Sequence, residues 1–193
     1  MCHLPGAISH MYSAAILAGG RASRFGGQDK SALVVDGQTI LDRQLDVLSH
    51  VADDVQVVRE DLVPGCGPLG GVHAALTRAA HGVTFVLACD MPYVTAPFVS
   101  HLLSLSADAD IVVPRTERGY HPLCAVYART CLEAIARRLA DRRLKMTDMF
   151  SDVRVREVSG DELETFGDRH RLLANVNTPA DFADLATLQG HKL

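Results

Sequence analysis

Short apolar runs alternate with amphipathic ones from residue 14 almost to the end of the chain. The apolar runs at 14–18, 55–58, 83–89, 110–114, 122–128, 153–158 and 172–176 are strand candidates. Most are rich in β-branched residues, as strands of a sheet covered on both faces should be. Between them lie helix candidates at 39–50, 71–80, 96–105, 129–140 and 179–189. In the first of these, Ile40, Leu41, Leu45 and Leu48 fall on one face. The last opens with Thr178 as cap, Pro179 in the first turn and Asp181 three residues past the cap. Strands separated by helices predict an α/β fold, a mostly parallel sheet with helices on both faces. No repeat, low-complexity tract or linker interrupts the pattern, so 1–193 is expected to form one domain, with residues 1–12 as a flexible lead. Met11 is an alternative start.

Size and composition narrow the field. A chain of 193 residues can bury a full core. Its 48% hydrophobic and 22% charged residues are ordinary for a globular protein. The net charge of −4 leaves no basic excess to displace counterions, so nucleic acid is not an expected partner. Any anionic ligand must be met by local cations. No apolar stretch approaches the roughly 20 residues that span a bilayer, so no membrane partner is expected, and Met1–His10 lacks the regions of a secretion signal. The five cysteines are scattered without a C-x-x-C pair, and Cys89 and Cys124 read as small buried hydrophobes. The nine histidines have no ligand spacing either, which disfavours structural zinc. The expected setting is reducing and cytoplasmic.

In open α/β sheets ligands collect beyond the carboxyl ends of the strands, and the unusual residues sit there. The strand at 14–18 runs into Gly19-Gly20-Arg21-Ala22-Ser23-Arg24-Phe25-Gly26-Gly27-Gln28-Asp29-Lys30. Glycine lets backbone N–H groups approach an anion closely, and the cations after it can neutralise a polyphosphate. A tight surface turn with solvated charges is the plainer alternative. The spacing excludes a P-loop, because Asp29 precedes Lys30-Ser31, and excludes G-x-G-x-x-G, because Gly19 and Gly20 are adjacent.

Asp90 follows the strand at 83–89 and precedes Met91-Pro92. A strand-tip carboxylate beside a proline-fixed turn suits magnesium, which favours one or two carboxylates plus substrate phosphates. Capping of the helix near Pro97 is the alternative, but seven residues is too far for a capping bond. Gly65-Cys66-Gly67-Pro68-Leu69-Gly70-Gly71 is either a base- or phosphate-accepting wall or a mere connection. His121-Pro122-Leu123 alone says little. Asn175-Val176-Asn177-Thr178 can supply metal or substrate contacts, or simply turn and cap chemistry. No G-x-S-x-G elbow is present. Phosphoryl or nucleotidyl transfer, which needs positioning and charge neutralisation more than covalent help, matches this inventory.

At this point the chain resembles a known family. Leu17-Ala18-Gly19-Gly20, Arg24-x-Gly26, Lys30, Gly67-Pro68-Leu69-Gly70-Gly71, Asp90-Met91-Pro92, His121-Pro122-Leu123 and Asn175-Val176-Asn177-Thr178-Pro179 resemble, in order, the motifs of molybdenum cofactor guanylyltransferases. The resemblance covers residue 14 to about 188. It implies a Rossmann-like nucleotidyltransferase that joins GMP from GTP to molybdopterin and releases pyrophosphate. Leu17, Ala18, Gly19 and Gly20 would contact the nucleotide through the backbone, with Gly70 also on the nucleotide side. Arg24 and Lys30 would clamp the phosphates and act with Asp90, the magnesium ligand, in catalysis. Asn175 and Asn177 would face the molybdopterin. Molybdenum insertion proteins and molybdoenzyme chaperones are implied as partners.

The chain departs from the family between residues 51 and 66, where relatives fit two strands and a longer connection. Asp61 matches the family's nucleotide-contacting acid only if a deletion is assumed. Rival readings are a cytidylyltransferase for the same cofactor, whose loop resembles Leu-Ala-Ala-Gly where this chain has Gly19 after Ala18, a sugar-phosphate nucleotidylyltransferase, and a non-catalytic nucleotide- or cofactor-binding delivery protein.

Overall fold

The computed structural model describes residues 11–19, 33–60 and 62–176. The central sheet carries β1 (Ser13–Leu17), β4 (Asp54–Val58), β5 (Val83–Ala88), β6 (Ile111–Thr116), β7 (Gly119–Tyr120), β8 (Cys124–Ala128) and β9 (Val155–Val158) in the order β4-β1-β5-β8-β6-β7, with β9 also on β6. β4, β1 and β5 are mutually parallel, as are β6 and β9, while β8 runs antiparallel to both of its neighbours, β5 and β6. The sheet is therefore mixed but mostly parallel, as expected, with two reversed strands, β8 and the short β7 antiparallel to β6, that the expectation did not contain.

Alternate residues of each strand face opposite layers. Ala14, Ile16, Phe85, Leu87, Val112 and Val126 pack with Leu48 of α1 (Ile40–Ser49) and Phe98, Val99 and Leu102 of α3 (Ala96–Ser104). Ala15, Leu17, Val86, Ile111, Val113 and Tyr127 pack with Leu69, Val72 and Leu76 of α2 (Gly67–Arg78) and Ile135 of α4 (Cys131–Ala140). Helices thus cover both faces. Tyr12 is partly buried against the first of these layers, immediately before β1.

Three local features depart from the sequence reading. The stretch 172–176 is not a strand: α6 (Arg169–Leu172) ends inside it, and the following residues lie on Asp90 through a single backbone bond. Its apolar residues Leu172, Leu173 and Val176 are buried by packing, without a ladder partner. The glycine-rich run does not merely precede its helix. Gly67 opens α2 with Pro68 in the first turn, and Gly70 and Gly71 are buried within it. Between β1 and α1 lies a small hairpin, β2 (Val34–Val35) and β3 (Gln38–Thr39). Its two-residue turn places Asp36 at φ 50 and Gly37 at φ 84, the left-handed pair such a turn requires. Thr39 then caps α1, its hydroxyl accepting from the Asp42 N–H. The helix proposed at 179–189 lies outside the described residues, and α5 (Asp161–Glu164) completes the set.

Candidate active site

The carboxyl ends of β4, β1 and β5 meet at one edge of the sheet. Register pairs Leu17 with Val58 on one side and with Ala88 on the other. Gly19 and Asp90 each lie two residues past that line, so the glycine and the acid leave adjacent strand ends. The ladder continues past the last paired residues: the Ala18 N–H donates to the Val58 carbonyl at 2.9 Å, and the Cys89 N–H to the Leu17 carbonyl at 3.2 Å.

Gly19 is required by sterics. A Cβ there would lie 2.6 Å from the Arg59 carbonyl oxygen and 3.0 Å from its carbon. Backbone meets backbone at this point, which leaves no side chain to swing away. The loop that follows, with Gly20, Arg24 and Lys30, lies outside the described residues, as do Asp61 and Asn177.

Asp90 is half-buried in the turn after β5. It is no helix cap, since α3 begins at Ala96 behind Thr95. The structure brings Asn175 to it: the Asn175 amide donates to Asp90 Oδ1 at 3.3 Å, and the Val176 N–H donates to the Asp90 carbonyl at 2.7 Å. Two motifs 85 residues apart in sequence therefore share one site. Gly70 stands in the second turn of α2, whose Leu69 packs in the same layer as Leu17 and Val58. Among the sequence-selected residues that the structure describes, Leu17, Ala18, Gly19, Asp90 and Asn175 converge at this edge, with Gly70 on the helix beside it.

The antiparallel strand β8 brings His121-Pro122-Leu123 to the same edge, because its start, not its end, lies beside the end of β5. The Ala88 N–H donates to the Leu123 carbonyl at 2.7 Å. His121 Nε2 lies 3.1 Å from the Thr116 hydroxyl. Burial, reinforced by the nearby Arg118 charge, holds the His121 imidazole below its ordinary value, so it is neutral at pH 7.

Sequence reasoning missed Gln44. Its Nε2 donates to the carbonyls of Ala88, at 2.8 Å, and Met91, at 3.0 Å, on either side of Asp90. The signal was present: Gln44 falls midway between Ile40 and Leu48 at helical spacing, a polar residue on a buried face.

The donor set limits the ion this edge can hold. No group of three or more His, Cys, Asp or Glu is clustered among the described residues. The described residues therefore offer no set of three or four such ligands for zinc. A hard cation that takes one carboxylate and completes its shell with phosphate oxygens and water fits this edge. Asp90 is the residue that would hold it.

A mixed α/β sheet with a glycine turn, a strand-tip acid and an asparagine gathered at its carboxyl edge is the layout of a nucleotide-binding α/β domain. Comparison with known proteins makes this specific. Residues 14–153 match the MobA-like NTP transferase domain. The chain is 35% identical over 178 residues to the molybdenum cofactor guanylyltransferase of Desulfosudis oleivorans, covering 84% of this chain and 88% of that one. It is 37% identical over 180 residues to a probable molybdenum cofactor guanylyltransferase of Pelotomaculum thermopropionicum, covering 86% and 87%. In structure it resembles molybdopterin-guanine dinucleotide biosynthesis protein A of Archaeoglobus fulgidus, with TM-score 0.72, 23% identity and coverage of 93% and 100%. The fold is also that of 2-C-methyl-D-erythritol 4-phosphate cytidylyltransferase from Thermus thermophilus, at TM-score 0.63, 16% identity and coverage of 91% and 98%. The chain belongs to the MobA-like NTP transferase family.

Proposed function

We propose that this protein transfers GMP from GTP to molybdopterin, forming the guanine dinucleotide cofactor and releasing pyrophosphate. The observation that carries the reading is the meeting of Gly19, Asp90 and Asn175 at one sheet edge in a chain whose curated relatives are named for this reaction. The terminal phosphate oxygen of molybdopterin attacks the α-phosphorus of GTP. The bond from that phosphorus to the bridging oxygen breaks, and pyrophosphate leaves. Leu17, Ala18, Gly19 and Gly20 present backbone to the nucleotide, where a side chain at 19 would collide with Arg59. Gly70 borders the nucleotide from α2, and Asp61 is its further candidate contact. Arg24 and Lys30 hold the triphosphate and offset the charge that develops on the leaving group. Asn175, with Asn177 beyond it, lies toward the acceptor. Magnesium, held by Asp90, would supply Lewis-acid stabilisation of the phosphate oxygens.

No helix among the described residues is long and apolar enough to cross a membrane. Cys66, Cys124 and Cys131 are free thiols, which supports a reducing, cytoplasmic setting. Molybdenum insertion proteins and molybdoenzyme chaperones would then be its protein partners.

The test is incubation with molybdopterin, magnesium and either GTP or CTP, followed by mass analysis of the pterin. A mass gain of one GMP, absent with CTP, is the expected result. Preferential CMP transfer, or binding of both substrates without transfer, overturns the assignment.

A further inference from the structure

The turn bearing Asp90 is held from two sides. On one side the Val176 N–H reaches the Asp90 carbonyl. On the other, consecutive residues of α1 reach its neighbours: Arg43 Nε donates to the Pro92 carbonyl at 3.3 Å, and Gln44 Nε2 donates to those of Ala88 and Met91. The backbone carbonyls of residues 88, 90, 91 and 92 are thus all engaged by other parts of the chain.

Gln44 is an odd choice for its position if packing were its purpose. It is 2% exposed and lies on the buried face of α1 between Ile40 and Leu48. Its Oε1 is buried with no hydrogen-bond partner among the described residues. An orphaned buried acceptor costs free energy that methionine or leucine of similar volume would avoid. The amide nitrogen accounts for the choice, because only a donor can tie down two carbonyls that flank the acid. Both partners are acceptors, which also fixes which end of the amide is the nitrogen.

We propose that Gln44 is a positioning residue for Asp90, holding the 88–91 turn so that the carboxylate stands ready for the metal–nucleotide complex. Asp90 leaves a strand tip on a single turn, and the direction of its side chain follows that turn's backbone. Fixing the turn from α1 spares Asp90 from ordering it when the nucleotide arrives. The inference rests on the metal-binding role of Asp90 proposed above.

Gln44→Met tests it, with Leu48→Ala on the same helix as the matched control. In the ligand-free protein, amide hydrogen exchange at Met91 and Val176 is expected to quicken at least about tenfold in Gln44→Met, with β1 and β8 unchanged. Mn²⁺ affinity, read by electron paramagnetic resonance with a non-hydrolysable GTP analogue, is expected to fall about tenfold. Leu48→Ala is expected to lower Tm and leave both readouts at wild-type values. Wild-type exchange and Mn²⁺ affinity in Gln44→Met overturn the proposal, as does an equal shift in both readouts in Leu48→Ala. The exchange measurement needs neither ligand nor turnover. A chain that joins a different nucleotide or acceptor would refute the proposed function and leave this outcome readable.

Discussion

Replacing Gly19 by alanine is the sharpest probe of how the nucleotide loop is launched. The new Cβ would stand 2.6 Å from the Arg59 carbonyl oxygen, several tenths of an ångström inside any ordinary carbon–oxygen contact. Neither side can give cheaply, because β1 and β4 are locked by a parallel ladder that ends in the bond from Ala18 to Val58. Separating the strand ends enough to admit a methyl stretches that bond. Overpacking of this kind costs about 1–3 kcal/mol and a weakened hydrogen bond about 0.5–1.5. A combined loss of about 2–3 kcal/mol corresponds to a Tm lowered by about 4–12 °C in a chain of this size. The GTP dissociation constant should rise at least about tenfold, since in the proposed function the displaced strand end is where the backbone meets the nucleotide. Gly82→Ala is the control. Nothing lies within 4 Å of its would-be Cβ, and its backbone is outside the left-handed region, so it should be neutral or stabilise by up to about 1 kcal/mol. Thermal unfolding and calorimetric GTP titration of the three proteins decide the matter. A Gly19→Ala protein that melts and binds like wild type would refute the steric argument.

Three further outcomes are expected. Asp90→Asn should cut metal-dependent transfer at least about 100-fold, about 2.7 kcal/mol in the barrier, while Tm moves little because the residue is only half-buried; steady-state kinetics beside a melt checks this. Asp110 is held at about 2, chiefly by hydrogen bonds from the Arg154 guanidinium and backbone N–H, with the Thr130 hydroxyl adding to them. Its folded value lies below the unfolded one near 3.9, so its stabilisation is complete above about pH 5 and fades as pH falls toward 2. With Arg154 largely exposed, denaturant titrations of wild type and Asp110→Asn should converge by about 1–2 kcal/mol over that range, and parallel curves would count against the pair. Burial pushes the Cys131 thiol up to about 12, with the Asp110 charge contributing, and burial raises Cys124 as well. Iodoacetamide at pH 8 should label neither in the native protein and both in denaturant, as read by mass spectrometry.

Much of this architecture was written in local pattern. Ala14–Leu17 and Val83–Ala88 read as covered strands because they are apolar on both faces, and both faces are in fact covered. Asp90 stood out in the sequence because a charge at the tip of such a strand has few other uses, and the structure brings Asn175 to it. The reversal of β8 had a signal that went unread. Only residues 117–123 separate β6 from β8, with the small pair β7 folded into the gap, and a parallel crossover needs a dozen residues or more. The Asp36-Gly37 turn was likewise a hairpin signature hidden by the brevity of its strands. The segment 172–176 could not be read locally. Burial without pairing looks in sequence like burial with it, and what fixes the segment is a pair of bonds, from the Asn175 amide and the Val176 N–H, to a residue far away in the chain. Gln44 was legible only as a polar residue on a buried face, because its partners are backbone carbonyls, which carry no mark in the sequence.

The reversed strand β8 separates two blocks of common direction, β4-β1-β5 and β6-β9, and joins them along one seam, with the short β7 antiparallel beside β6. The first block carries Gly19 and Asp90, and the seam delivers His121. Changes in the second block can therefore remodel what sits opposite Gly19 and Asp90 while the ladder beneath Gly19 stays intact. One scaffold can in this way keep its first block fixed while the groups that face it vary.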